Sequence, residues 1–337
     1  MKILVTGGAG FVGSHLVDEL INRGYTVSVI DSLVHGGKKS NLNPQATFYR
    51  VDITRHKKVA RILSQVKPDA VFHLAAHINA RYSIDNPLFD NTTNTVATLN
   101  LLEQAHQNGL KKFFFVSTGG ISYGDDAPRP TPETHPTSSL TPYCISKMAS
   151  EQYVRFFAKQ HGIQYTIFRP ANIYGPRQNG SGEAGVIAIF LEKMLAGINP
   201  IIYGDGRQTR DWVYVKDVVN ALICSLEAPK DSDVYHIASE QPTSVNQVFL
   251  ELNAHFGNIF EKRHIEAPWK EQKDSCLSSQ KIQKELGWKP EVSISEGLYQ
   301  TVQWFRATRH KSLPMDIFRE SLRARFNIFQ QSFRKNT

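Results

Sequence analysis

The sequence predicts an α/β fold, a doubly wound parallel sheet followed by a smaller α/β domain. Three observations point to it. A five-residue apolar run, residues 2–6, leads into a glycine-rich turn and then into residues at helical spacing. Short apolar runs then alternate with helical stripes to about residue 170, the pattern of strands wound with helices. Beyond 170 the rhythm changes to glycine-rich loops and short strands. With 337 residues the chain has room for one large domain or two smaller ones, each with an ample core.

The elements follow in order. Residues 2–6 (Lys-Ile-Leu-Val-Thr) read as a buried parallel strand. Gly7, Gly10 and Gly13 stand at i, i+3 and i+6, and Val12, Leu16, Leu20 and Ile21 fall at helical spacing. Glycines let a backbone approach a pyrophosphate closely. The helix start adds free N–H groups and partial positive charge. Strand, glycine turn and helix together are the Rossmann-type dinucleotide fingerprint. Residues 25–30 read as the second strand, and Asp31 ends it. An acid there can accept hydrogen bonds from an adenosine ribose and would repel a 2′-phosphate. It favours NAD over NADP, although Lys38 and Lys39 lie nearby. A turn residue is the plainer reading of Asp31. Val51-Asp52-Ile53 is read as the end of a third strand, with Asp52 facing the adenine edge or capping the next helix.

Val59, Ile62, Leu63 and Val66 form a core stripe. Residues 70–76 predict the fourth strand, with small residues at its end that let a cofactor pass. His73 inside it reads as a structural histidine. Residues 94–107 predict a helix and 112–117 a fifth strand, running out in Ser117-Thr118-Gly119-Gly120. Parallel sheets bind ligands at the carboxyl ends of strands, so the Thr118 hydroxyl is placed to bond a reacting oxygen.

Tyr143 and Lys147 follow, one helical turn apart on one face. An ammonium beside a phenol favours the phenolate and makes the tyrosine a general base for a sugar or alcohol hydroxyl. A solvated helix face is the bland alternative. Residues 164–168 read as the sixth strand, 186–196 as a helix, 201–203 as a strand, and 234–238 as a strand returning to the first sheet. Residues 180–185 read as a glycine-rich loop. Arg207, Arg210 and Lys216 gather positive charge suited to a diphosphate.

The formal charge of +8 favours anionic partners. No nucleic-acid motif or metal-ligand spacing occurs, and no apolar run is long enough to span a membrane. Cys144, Cys224 and Cys276 are far apart and read as reduced thiols of a cytoplasmic protein without a signal peptide. In residues 311–337, Ile317, Phe318, Leu322, Phe326, Phe329 and Phe333 form an apolar helical stripe. Six Lys/Arg against two Asp/Glu give that tail +4. Such a tail packs on its own domain or a second subunit, or lies on an anionic membrane.

Assembled, these residues resemble the extended short-chain dehydrogenase/reductase superfamily, and within it the UDP-glucose 4-epimerase group. The likeness runs from Lys2 to about Phe305. It is carried by Val5-Thr6-Gly7-Gly8-Ala9-Gly10-Phe11-Val12-Gly13, the Tyr143/Lys147 pair, Arg169-Pro170-Ala171-Asn172-Ile173-Tyr174-Gly175-Pro176 and Arg210-Asp211-Trp212-Val213-Tyr214-Val215. The resemblance implies an NAD-dependent nucleotide-sugar epimerase with Thr118, Tyr143 and Lys147 catalytic. Cofactor-binding residues would be Gly7, Gly10, Phe11, Val12, Asp31, Asp52, Ile53, Leu74, Ala75, Ala76, Tyr143, Lys147 and Pro170, with Gly13 beside them. Thr118, Asn172 and Arg210 would bind the UDP-linked sugar.

The resemblance further implies a homodimer through the helices carrying Asn94 and Tyr143. It implies an NAD-binding Rossmann domain over 1–170 and a mainly nucleotide-sugar-binding domain over 171–310. Relatives that eliminate water typically carry acids just after the hydroxyl at Thr118. Here Gly119 and Gly120 follow, with no acid before Asp125. The usual Arg-x-Gly-Asp segment is replaced by Pro268-Trp269-Lys270-Glu271-Gln272-Lys273-Asp274-Ser275, which leaves Lys270 or Lys273 as the stand-in cation. The small Ser275 would admit an N-acetyl group. A dehydratase, reductase or decarboxylase of the same superfamily is the nearest rival, and a non-catalytic NAD or nucleotide-sugar binding protein a more distant one.

Overall fold

The computed structural model describes residues 1–34, 36–138, 141–180, 185–228, 233–267 and 272–309. The tail 311–337, Lys270 and most of the 180–185 loop therefore lie outside the described residues. The strands are β1 (Lys2–Thr6), β2 (Thr26–Asp31), β3 (Thr47–Arg50), β4 (Ala70–His73), β5 (Lys112–Val116), β6 (Gln164–Pro170), β7 (Asn172–Tyr174), β8 (Ile201–Tyr203), β9 (Thr209–Tyr214), β10 (Asp233–Ile237), β11 (Pro242–Ser244) and β12 (Arg263–Ile265). The helices are α1 (Phe11–Asn22), α2 (His56–Val66), α3 (Ala80–Asp85), α4 (Pro87–Asn91), α5 (Ala97–Gln107), α6 (Pro142–His161), α7 (Val186–Leu195), α8 (Val215–Glu227), α9 (Val245–Ala254), α10 (Gln280–Leu286) and α11 (Ile294–Arg309).

Among the described residues seven strands form one sheet in the order β10-β6-β5-β4-β1-β2-β3, every pair parallel. This is the doubly wound arrangement the sequence predicts. Strand order reverses between β1 and β4, so a crevice opens at their carboxyl ends, the place where such sheets bind ligands. One face of the sheet is covered by α1 and α8, whose Leu16, Leu20, Val218 and Leu222 share a core with Val5 and Phe72. The other is covered by α2, α5 and α6 around Leu4, Val71 and Phe115. A separate core joins α7, α9 and α11 through Phe190, Phe249 and Phe305. It lies with two small sheets, β11-β9-β7 and β12-β8. No described helix is long and apolar enough to cross a membrane.

Several boundaries differ from the sequence expectation, each for a local reason. The fourth strand stops at His73 rather than 76, because the Ala75 N–H donates to the Thr6 hydroxyl and leaves the ladder. The third strand ends at Arg50, and 51–53 lie beyond it. There Asp52 Oδ1 accepts from both the N–H and the hydroxyl of Thr54 and turns the chain. The expected helix from 94 is longer: it begins at Pro87 and passes through a π-helical turn, Thr92–Val96. The β-branched and polar run Thr92-Thr93-Asn94-Thr95 has poor helix propensity and hides that start. The return strand appears as β10, parallel to β6.

Candidate active site

The site is built outward from the end of β1. Gly7 has φ +73°, and a side chain there would put its Cβ 2.8 Å from the Ala75 nitrogen. A Cβ on Gly13 would fall within van der Waals distance of the Gly7 carbonyl. Only glycine lets the turn fold this tightly under the N-terminus of α1. Asp31 ends β2 and holds the turn from the side. Its Oδ2 accepts from Ala9 N at 3.0 Å and its Oδ1 from Leu33 N at 2.8 Å.

Across the crevice, β5 runs out into Ser117-Thr118-Gly119-Gly120. Gly119 passes so close to the next strand that a Cβ would lie 2.5 Å from Leu277 Cδ1 and 2.8 Å from the Arg169 carbonyl oxygen. A Cβ on Gly120 would meet Asn172 Oδ1 at 3.0 Å. Gly119 is therefore a packing requirement of the loop that presents Thr118, while at Gly120 the Asn172 amide would have to give way.

Tyr143 and Lys147 lie in the first turns of α6. Pro142 opens this helix, the Thr141 hydroxyl caps it by accepting from Cys144 N, and Gly162 ends it in the left-handed conformation. Both side chains belong to the buried face, at 9% and 3% exposure. The sequence alternative of a solvated face does not hold. Lys147 Nζ sits 4.2 Å above the Phe115 ring. Burial pulls its pKa down to about 7, against the charges of Glu151 and Asp90, which raise it.

His73 is structural, as expected. Its ring bonds the Thr6 hydroxyl at 2.6 Å and the Thr98 hydroxyl at 2.8 Å. Burial, and then the Lys147 charge, press its pKa down to about 3, so it is neutral.

These parts line one cavity of about 580 Å³. Gly7, Gly10, Phe11, Val12, Gly13, Asp31, Asp52 and Ile53 wall one end, Leu74, Ala75 and Ala76 the middle, and Thr118, Tyr143, Lys147, Pro170 and Asn172 the other. Three of the lining residues carry a buried polar atom without a protein partner: Ser117 Oγ, Asn172 Oδ1 and Gln178 Oε1. A glycine cradle at a helix start, a carboxylate at the second strand and unsatisfied polar atoms beyond fit a dinucleotide and a polar substrate in line. Among the described residues no cluster of histidine, cysteine or carboxylate could hold a metal.

Arg210 is not among the lining residues. Its guanidinium donates to the carbonyls of Thr209 at 2.8 Å and Lys273 at 3.3 Å. Ser275 is buried beside the loop, donating to the Gly120 carbonyl, and Lys273 is exposed. Asp125, the first acid after Thr118, has Oδ1 accepting from Lys273 N and lies 3.9 Å from Arg129. Sequence reasoning missed Gln178, Ile78, Phe89, Thr92 and Thr93 as lining residues. Phe89 and the threonines arrive through the unforeseen α4 and π turn. Gln178 follows the motif at 169–176 by two residues but carried no pattern of its own.

The model of the NAD dependent epimerase/dehydratase family matches residues 3–238. A UDP-glucose 4-epimerase from Thermotoga maritima, solved with UDP-glucose, superposes with a TM-score of 0.89 at 46% identity, over 91% of this chain and 99% of that one. One from Thermus thermophilus, solved with NAD, gives 0.86 at 36% identity over 91% and 99%. The UDP-glucose 4-epimerase of Mycolicibacterium smegmatis is 36% identical over 91% of this chain and 99% of its own.

Proposed function

The chain belongs to the NAD dependent epimerase/dehydratase family, and from that premise we propose that it epimerises a nucleotide sugar at carbon 4. The substrates in this reading are UDP-glucose and UDP-galactose, or the N-acetylhexosamine equivalents, passing through a transient 4-keto sugar. One observation carries the reading: a single cavity joins the glycine turn and Asp31 to Thr118, Tyr143, Lys147 and Asn172.

Residues 1–170 hold the cofactor in this proposal, and 171–310 mainly the sugar nucleotide. Gly7, Gly10 and Gly13 take the pyrophosphate and Asp31 the adenosine ribose. When bound, NAD⁺ supplies a reversible hydride acceptor for the sugar carbon. Tyr143 takes the proton of the 4-hydroxyl and later returns it, while the Thr118 hydroxyl holds the reacting oxygen. The Lys147 ammonium, confined by burial, stabilises the phenolate and holds the nicotinamide ribose. Asn172, and Arg210 once turned from the carbonyls it now binds, hold the diphosphate. Anchoring through the nucleotide leaves the sugar free to present its other face.

Elimination is the weaker reading. Glycines occupy the positions after Thr118, and Asp125 is engaged by Lys273 N. We further propose a homodimer, supported by an apolar face of exposed Tyr82, Ile84, Leu88, Ile145, Tyr153 and Phe156 on α3, α4 and α6. A cytoplasmic setting is in keeping with three free cysteines. Incubation with UDP-glucose, UDP-N-acetylglucosamine and UDP-glucuronate, with products read by NMR and mass, tests the function. A 4-epimer of unchanged mass is expected, and Tyr143→Phe is expected to lose at least about 100-fold in kcat. Loss of water or carbon dioxide, no turnover, or full activity in Tyr143→Phe would each refute it.

A further inference from the structure

Beside the Tyr143–Lys147 turn lies a buried cluster that the reaction above does not use. Asp90, on α4, has no exposed surface. Its Oδ2 accepts from the Ser146 hydroxyl at 2.6 Å. Its Oδ1 accepts from the Asn94 amide at 3.1 Å and meets His77 Nδ1 at 3.2 Å. The Asn94 amide clamps the His77 backbone from both sides, donating to its carbonyl at 2.9 Å and accepting from its N–H at 2.8 Å. Ser146 also closes on the Tyr143 carbonyl at 3.0 Å. Three pieces of chain meet here. They are the 74–78 segment, from which Leu74, Ala75, Ala76 and Ile78 line the cavity, the π turn, and α6 one residue before Lys147.

Glu151, on α6 itself, and Asp90, on α4, act on the Lys147 charge, and Lys147 acts in turn on His73, on β4. Tyr143 lies one turn before it on α6, Arg169 on β6 bonds Glu151, and His77 in the 74–78 segment meets Asp90. Glu151 is held by Arg169 through bonds of 2.9 and 2.6 Å, so its charge is largely matched. The hydrogen-bonded partners of Asp90 named above include no lysine or arginine. An ammonium buried over an aromatic ring needs a counter-charge.

We propose that Asp90 is a positioning residue for the proton transfer. It registers the Tyr143–Lys147 turn against the cofactor-lining segment and supplies buried negative charge that the Lys147 ammonium requires. With that charge removed, desolvation acts on Lys147 with only Glu151 opposing it. The ammonium then loses its proton at lower pH, and the phenolate loses its partner with it.

The kinetic arm of the test rests on the epimerase reading. It measures kcat/KM against pH with UDP-glucose for the full-length holoenzyme and for Asp90→Asn, Asp90→Glu and Ser146→Ala. Asp90→Asn is expected to move the alkaline limb down by about 1 unit, and Asp90→Glu to restore it. Ser146→Ala keeps the charge, so its limb stays while kcat falls by roughly tenfold. A uniform loss in Asp90→Asn with an unmoved limb overturns the proposal, as does wild-type kcat in Ser146→Ala.

The second arm needs no turnover. Urea unfolding of Asp90→Asn, Lys147→Met and the double variant is expected to be non-additive at about pH 6 and additive at about pH 9. Additivity at both overturns the proposal. If Asp90→Asn does not fold, Ser146→Ala and Asp90→Glu decide by the outcomes given. Failure of the wild type to turn over any UDP-sugar refutes the reaction and leaves the unfolding cycle, with Asp90→Glu as its charge-keeping control, to judge Asp90.

Discussion

In the proposed reaction Lys147 must carry charge, and its buried position opposes that. Its folded pKa of about 7 lies below the unfolded value of 10.5, so between them the unfolded chain binds more protons. Stability from this group therefore rises with pH across that window, by up to about 5 kcal/mol. Lys147→Met should be more stable than the wild type near pH 6, and the gain should fade towards about pH 10; urea titrations at both ends check it. Gly7 is set by geometry instead. Gly7→Ala must hold a side chain at φ +73° against the Ala75 backbone. It should cost about 1–3 kcal/mol and release the cofactor, read as NAD content after gel filtration. The glycines, Asp31, Tyr143 and Lys147 were legible because strand, turn and helix periodicity fixes their faces locally. Gln178 and Arg210 were not, because the place of each depends on how distant segments pack.

At the scale of elements, α6 is tied to the sheet by a buried ion pair. Arg169, on β6, holds both oxygens of Glu151, on α6, and donates to the Tyr123 hydroxyl at 2.7 Å. The same strand end carries Pro170, and Asn172 follows on β7, so the pair links the helix of Tyr143 and Lys147 to the opposite part of the cavity lining. Glu151→Gln should lose about 3–5 kcal/mol in urea unfolding. The double change Glu151→Leu with Arg169→Met should recover most of it, since one uncompensated charge costs more than none. The pairing is invisible in sequence, where two residues eighteen positions apart show no periodic relation. β1, β2, β4, β5 and β6 were legible because each is largely an apolar run bounded by turn residues, whereas β3 is Thr-Phe-Tyr-Arg and its end was expected too late. β7 and β11 have three residues each, too brief a pattern to read, and β9 opens on the polar Thr209-Arg210-Asp211.

For the whole molecule, winding order placed the crevice where sequence reading put it, at the ends of β1 and β4. The chain does not divide into two uninterrupted halves of structure. α8 packs on α1, and Ile282 and Trp288 join the same core, although α8, Ile282 and Trp288 lie after residue 170. Linear sequence carries no sign of that return beyond the single strand at β10. The proposed dimer belongs to this scale too. Leu88→Glu, at a side chain 83% exposed on α4, should leave the fold intact and yield monomers in sedimentation velocity. A single base change that gives position 119 a carboxylate would drive its first carbon into Leu277 and the Arg169 carbonyl. An acid at position 119 would therefore require the backbone at Arg169 to shift as well.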